Sequence, residues 1–141
     1  MSRIINCLLI IVIMSLVTSQ VSGGENDRSK SMLVRTEICY KNSLETGNIG
    51  VRNSALLEIV KMQALYPNVE FPCLKRAIKK MIKNEPEVVI RTNAQMALEI
   101  LENPHMANLV DSVDEYDPNV FFDNFYLKIA EKFAESQIAL E

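Results

Sequence analysis

The stretch Gly50–Ile59, GVRNSALLEI, lines up with the stretch Val89–Leu98, VIRTNAQMAL, at an offset of 39 residues. An aliphatic residue (Val51, Ile90), an arginine (Arg52, Arg91), an alanine (Ala55, Ala94) and a second aliphatic residue (Ile59, Leu98) recur in register. Each copy follows a turn and opens a helical pattern, and each is followed by a second helical pattern. A helical hairpin cannot bury its apolar face alone, so a repeat of this period implies neighbours that stack. Ala55 and Ala94 are small enough to let helices approach closely.

Working outward from these copies, five helical segments are expected. The first spans about 31–45 and stops at Thr46-Gly47-Asn48, with a glycine where a helix C-terminus often places one. The second spans about 51–65, with Val51, Ala55, Ile59 and Met62 on one face, and ends before Pro67. The third starts near Pro72, a good first-turn residue, and carries the stripe Leu74, Ile78, Met81 and Ile82. The fourth follows Asn84-Glu85-Pro86-Glu87, shows the clearest helical spacing (Ile90, Ala94, Ala97, Leu98, Leu101) and ends at Asn103-Pro104. The fifth spans about 119–139, with Phe122, Phe125, Ile129 and Phe133 on one face. No segment alternates apolar and polar residues as a half-buried strand would.

The paired motif resembles the HEAT repeat, whose first helix often opens with an aliphatic-Arg pair and a small residue three positions on. Val51-Arg52 with Ala55 and Ile90-Arg91 with Ala94 match it, and Asn84-Glu85-Pro86-Glu87 resembles the family's Asp- and Pro-containing entry. The resemblance implies an all-α fold, a short alpha-alpha superhelix of about five helices over residues 32–141. It also implies that Arg52 and Arg91 are structural, reaching carboxylates or carbonyls, a task that suits a guanidinium's fork of donors. The long connection from Pro104 to Pro118 departs from the family pattern and leaves the position of the last helix open.

The N-terminus reads differently. Met1, Ser2 and Arg3 precede an apolar run from Ile4 to Val17, followed by small and polar residues to Gly23. Those are the three parts of a secretory signal. The run is shorter than the roughly 20 residues of a membrane span. Residues 1–23 are therefore expected to be a signal peptide and 24–31 a flexible polar leader. The protein is expected to be exported, secreted or periplasmic, with no membrane span after cleavage.

Charge is unevenly distributed. Residues 24–84 hold eleven Lys and Arg against six Asp and Glu, whereas residues 85–141 hold three against twelve. The net charge of −3 argues against nonspecific nucleic-acid binding. After signal cleavage, Cys39 and Cys73 remain. Aligning the first and third segments through their apolar stripes pairs Tyr40 with Ile78 and Leu44 with Ile82. That register offsets the cysteines by about 6 Å along the axis, on helices about 8–10 Å apart. A disulfide spans about 4.4–6.8 Å between alpha carbons, so no intramolecular bridge is expected.

Catalytic signals are absent. The single histidine, His105, has no cysteine or acidic neighbour at metal-ligand spacing, and no phosphate loop or nucleophile motif occurs. The acidic run from Asp111 to Asp117 lacks the alternating carboxylates and central glycine of an EF-hand, so neither a metal nor a cofactor is expected. The third segment carries Lys75, Arg76, Lys79, Lys80 and Lys83, mostly on one face. The plain reading is a solvated surface. In HEAT-like folds the second helix of each pair lines the concave surface, so Lys75, Lys79, Lys80 and Lys83 are the candidate binding face for an anionic protein partner. Coverage by the chain's own acidic run is a third reading. Phe121, Phe122, Phe125 and their aromatic neighbours are expected to close the end of the stack. The function expected is protein binding or scaffolding without catalysis. The rival is a helical carrier holding an apolar small molecule among Phe121, Phe125 and Met81.

Overall fold

The computed structural model describes residues 22–110 and 116–138, and over these the chain is all-α. The helices are α1 (Ser22–Leu44), α2 (Ile49–Leu65), α3 (Pro72–Asn84), α4 (Val88–Glu102) and α5 (Pro118–Ile138), with a 3-10 helix at Pro104–Leu109. Residues 1–21, most of the expected signal peptide, and residues 111–115, most of the acidic run, lie outside the described residues. Among the described residues, no helix is long and apolar enough to cross a membrane.

Each boundary has a local cause. Asn48 caps α2 by accepting the Val51 N–H at 3.1 Å, and Thr46 in turn accepts the Asn48 N–H at 3.0 Å. Pro67 follows the end of α2. The turn beyond it is clamped from inside: the buried Gln63 side-chain amide donates to the carbonyls of Tyr66, Val69 and Pro67 at 3.3, 3.3 and 3.5 Å. Glu85 is extended at the end of α3, as a residue preceding proline prefers. Asp117 caps α5, accepting the Asn119 and Val120 N–H groups at 2.8 and 3.4 Å.

One cap comes from another element. Phe71 precedes α3 and has no side chain able to cap it. The buried Glu37 carboxylate of α1 accepts the N–H groups of Cys73 (2.8 Å) and Leu74 (3.4 Å) instead. An anion is favoured at a helix N-terminus, so this contact stabilises α3 and joins it to residues 37–44 at the end of α1.

The chain forms two units, one ending at Thr36 and one beginning at Glu37. In the first, residues 24–31, the expected flexible leader, are part of helix α1. No glycine or proline lies between Glu25 and Thr46, so nothing in the sequence breaks the helix over that stretch. The Thr36 hydroxyl donates to the Met32 carbonyl within this unit.

In the second unit α2 is the centre. It packs against α4, α5 and the 3-10 helix, and α4 packs against α3. Leu56, Leu57, Ile59 and Val60 are all buried, so α2 buries a face much wider than one stripe, with Ser54 and Leu65 left exposed on the remaining side. Val51, placed on that stripe from the sequence, is exposed, and Leu98 of α4 is half-buried while Asn93 and Ile100 are buried. Ala55 and Ala94 are both buried. The last helix takes a place the repeat does not foresee: α5 packs on α2 and on the 3-10 helix. The long connection gives the chain the reach to return there. Phe121, Phe122 and Phe125 bury at this join, with Phe121 edge-on to Phe122 and stacked on Phe125. Burying such a side chain is worth about 1.5–3 kcal/mol. Tyr126 and Leu127 remain exposed on α5.

Candidate functional site

The two repeat arginines make the same contact. Arg52 Nη1 donates to the Thr46 carbonyl at 3.0 Å, and Arg91 Nη1 donates to the Glu85 carbonyl at 2.7 Å, each six residues back in sequence. Arg52 also pairs with the Glu85 carboxylate: Nη2 donates to Oε1 at 3.0 Å, and Nε lies 2.9 Å from Oε2 without hydrogen-bond geometry. Glu85 is buried, its side chain only 3 % exposed. Its Oε1 further accepts the Glu87 N–H at 3.2 Å. One residue thus receives both arginines, one on its carboxylate and one on its carbonyl, and joins the start of α2 to the turn before α4.

A second polar chain runs from the core to the surface. Asn93 Nδ2 donates to Asn53 Oδ1 at 2.8 Å, and Asn53 Nδ2 donates to Asn119 Oδ1 at 3.0 Å. It links α4, α2 and α5 near their N-terminal ends. Lys61, also on α2 and buried, lies 3.6 Å from Glu58 and places its ammonium 4.9 Å from the centre of the Tyr116 ring.

The basic residues of α3 separate into distinct roles. At roughly 100° per residue, Lys80, Arg76 and Lys83 follow one another around the exposed side of the helix, all three exposed. Lys79 lies beyond them and pairs with Glu102 of α4 at 2.6 Å. Lys75 is further round and half-buried. Of the four lysines singled out from the sequence, Lys80 and Lys83 share an open surface with Arg76. Lys79 is engaged by α4, and Lys75 stands apart from them. No ion pair is formed by Lys80, Arg76 or Lys83 among the described residues.

Lys80 also borders a groove of about 410 Å³, with Leu44, Ala77, Met81 and Pro86 as apolar walls and the Arg52–Glu85 pair at one side. Glu45 stands on the same rim, bonded to Lys41 at 2.9 Å. That hydrogen bond and the Lys41 charge hold the Glu45 carboxyl below its usual range, and the charge of Lys80 adds to the effect. A second groove of about 450 Å³ runs between Tyr40 and Ser43 of α1 and Ser54, Ala55 and Glu58 of α2. Burial raises the Tyr40 hydroxyl above its ordinary 10.0, and the charges of Glu58 and Cys39 push it the same way.

The remaining candidates are scattered. Met81 opens onto the first groove, whereas Phe121 and Phe125 stack on each other elsewhere. His105 is exposed on the 3-10 helix. Among the described residues, no group of three His, Cys, Asp or Glu could hold a metal. Cys39 and Cys73 are free thiols, the first exposed and the second half-buried with Arg76 Nη2 3.6 Å from its sulfur. At the end of the acidic run, Asp117 caps α5 and Tyr116 lies beside Lys61 of α2.

Sequence reasoning missed Glu37, Glu85 and the three asparagines. Glu85 carried a usable signal, because an arginine at an equivalent place in two copies needs a carboxylate or carbonyl nearby. Glu37 and the asparagines carried none, since their partners lie 36 to 66 residues away in sequence. Compared with family models, with curated proteins and with solved structures, the chain finds no match in any of the three.

Proposed function

We propose that this is an exported, HEAT-like helical repeat protein that binds or scaffolds another protein and has no catalytic role. Its binding surface is the exposed basic side of α3, and its partner is an anionic protein rather than a nucleic acid. The observation that carries this reading is the surplus of cations at Arg76, Lys80 and Lys83, which have no ion pair among the described residues. The buried ionisable groups, by contrast, have packing duties: Glu85 with Arg52, Glu37 at the start of α3, Lys61 beside Glu58. The net charge of −3 disfavours nucleic acid as a partner. The equivalent contacts of Arg52 and Arg91 support the repeat reading.

The test is affinity capture from the exported fraction with the purified protein, followed by elution in about 1 M salt, where the screening length is only about 3 Å. An acidic protein that elutes with salt is the expected result. Retention of no protein, together with saturable uptake of a hydrophobic dye by the native protein, would replace the binding module with a carrier. Mass spectrometry of the same fraction should find an N-terminus near Gln20 or Gly24. An intact Met1 on membrane-bound protein would contradict export in soluble form.

A further inference from the structure

We propose that the groove beside Lys80 receives one large apolar side chain from an acidic, extended segment of the partner protein. This rests on the basic-face reading above and specifies the chemistry of the partner. The groove is in the size range that takes a buried ligand group. Its walls, Leu44, Ala77, Met81 and Pro86, are apolar, and the charges of the Arg52–Glu85 pair beside them offset each other. An apolar group entering it therefore strands no buried charge there. Around the groove the charge is lopsided. Glu45 at the rim is already bonded to Lys41. Lys80, whose charge also reaches Glu45, begins the exposed row that continues through Arg76 and Lys83.

A ligand that uses both features has an apolar anchor and carboxylates flanking it on the chain. A flat anionic bilayer could meet the cations but would leave the recessed walls unused, and its headgroups would face Glu45. A phosphate backbone has no apolar group for the walls. An extended peptide satisfies both, because its side chains alternate in direction and its backbone N–H groups can donate to Glu45 at the rim. Ala77 is the smallest residue of the wall, and on α3 it lies one turn before Met81 and Lys80. A larger side chain at this position would occupy the groove without removing a cation.

The experiment is selection of random peptides, long enough to lie extended across the groove and the basic row, against the full chain. Synthetic copies of the recovered peptides are then titrated by fluorescence anisotropy. The expected peptides carry one Leu, Ile, Met or Phe with Asp or Glu within two or three positions. Replacing that anchor by Ser should weaken binding by roughly tenfold, or about 1.4 kcal/mol. Ala77→Phe should cost a similar factor, and the two changes together should cost no more than one alone, as coupled groups do. Should Ala77→Phe fail to fold, Ala77→Val makes the same test with a smaller intrusion.

Acidic peptides that bind with no anchor preference and ignore Ala77→Phe would overturn the groove while leaving the basic face in place. Recovery of basic or neutral peptides, or of none, would overturn both. Binding to phosphatidylglycerol vesicles that is unchanged by Ala77→Phe would assign the face to lipid and overturn the proposal.

Discussion

Helices α2 and α3 both carry many polar residues, and they use them in opposite directions. In α2, Asn53, Lys61 and Gln63 are buried, and each ties a different neighbour: α4 and α5, the residues before α5, and the turn toward α3. In α3 only Leu74, Ile78 and Met81 are buried, and Arg76, Lys80 and Lys83 face outward. The contrast follows from position. On a helix packed among neighbours an unmatched buried polar group costs about 1–3 kcal/mol, and in α2 the Asn53 amide and the Gln63 amide nitrogen find partners while Gln63 Oε1 does not. A helix at the edge leaves its polar groups to water or to a partner. Charge on the central helix is therefore evidence about folding, and charge on the edge helix is where recognition should be sought.

The contrast can be challenged first at Glu85, where the largest effect is expected. Glu85→Ala removes the buried carboxylate that the half-buried Arg52 guanidinium faces, and breaking a buried pair in this way typically costs about 3–5 kcal/mol. Chemical denaturation of this variant, of Arg52→Ala and of the double variant should show strong coupling. Additive losses would mean that the pair does not join the two copies.

Overpacking comes next. Ala94→Leu and Ala55→Leu should each cost about 1–3 kcal/mol, because both alanines are buried against packed neighbours. Unchanged melting midpoints for both would remove the packing basis of the repeat.

A smaller loss is expected at the α1–α3 join. Glu37→Ala removes the only side-chain acceptor seen at the start of α3 among the described residues, and loss of such a cap costs about 0.5–2 kcal/mol. Glu37→Gln should recover part of it by keeping an acceptor oxygen. If Glu37→Ala melts as the wild type does, α3 does not depend on α1.

The smallest effect is a pH dependence. The folded state raises the Tyr40 pKa, chiefly through burial. The contribution is therefore present in full below the unfolded value of about 10, and it is lost as pH rises through the folded value. Above pH 10 the wild-type melting midpoint should fall more steeply than that of Tyr40→Phe. Parallel curves would show that Tyr40 ionises as freely in the folded protein as in the unfolded chain.

Much of this contrast could be read in the sequence, and the part that could not has a physical reason. Helices α2 to α5 were placed within about two residues of where they lie, the usual uncertainty of helix ends, because Asn48, Pro67, Pro72, Pro86 and Pro104 punctuate the chain. The basic side of α3 was legible too, because a strongly amphipathic helix shows its outer face in its spacing. The centrality of α2 was not. Its apolar residues occur all round, and a search for one stripe finds Val51, Ala55, Ile59 and Met62 without asking what faces Leu56, Leu57 and Val60. The return of α5 to α2 depends on Phe121, Phe122 and Phe125 and on the Asn53–Asn119 hydrogen bond, contacts that no local pattern encodes. The groove beside Lys80 needs Leu44, Ala77 and Pro86 at once, and these come from three separate parts of the chain.

The division between a folding helix and a recognition helix is tested most directly by reversing charge on α3 alone. The Arg76→Glu, Lys80→Glu, Lys83→Glu protein should keep its melting midpoint to within the change equivalent to about 0.5 kcal/mol, as surface substitutions do. Its capture of the acidic partner from the exported fraction should be abolished. Undiminished capture by this folded variant would contradict the assignment and reduce the basic face of α3 to an ordinary solvated surface.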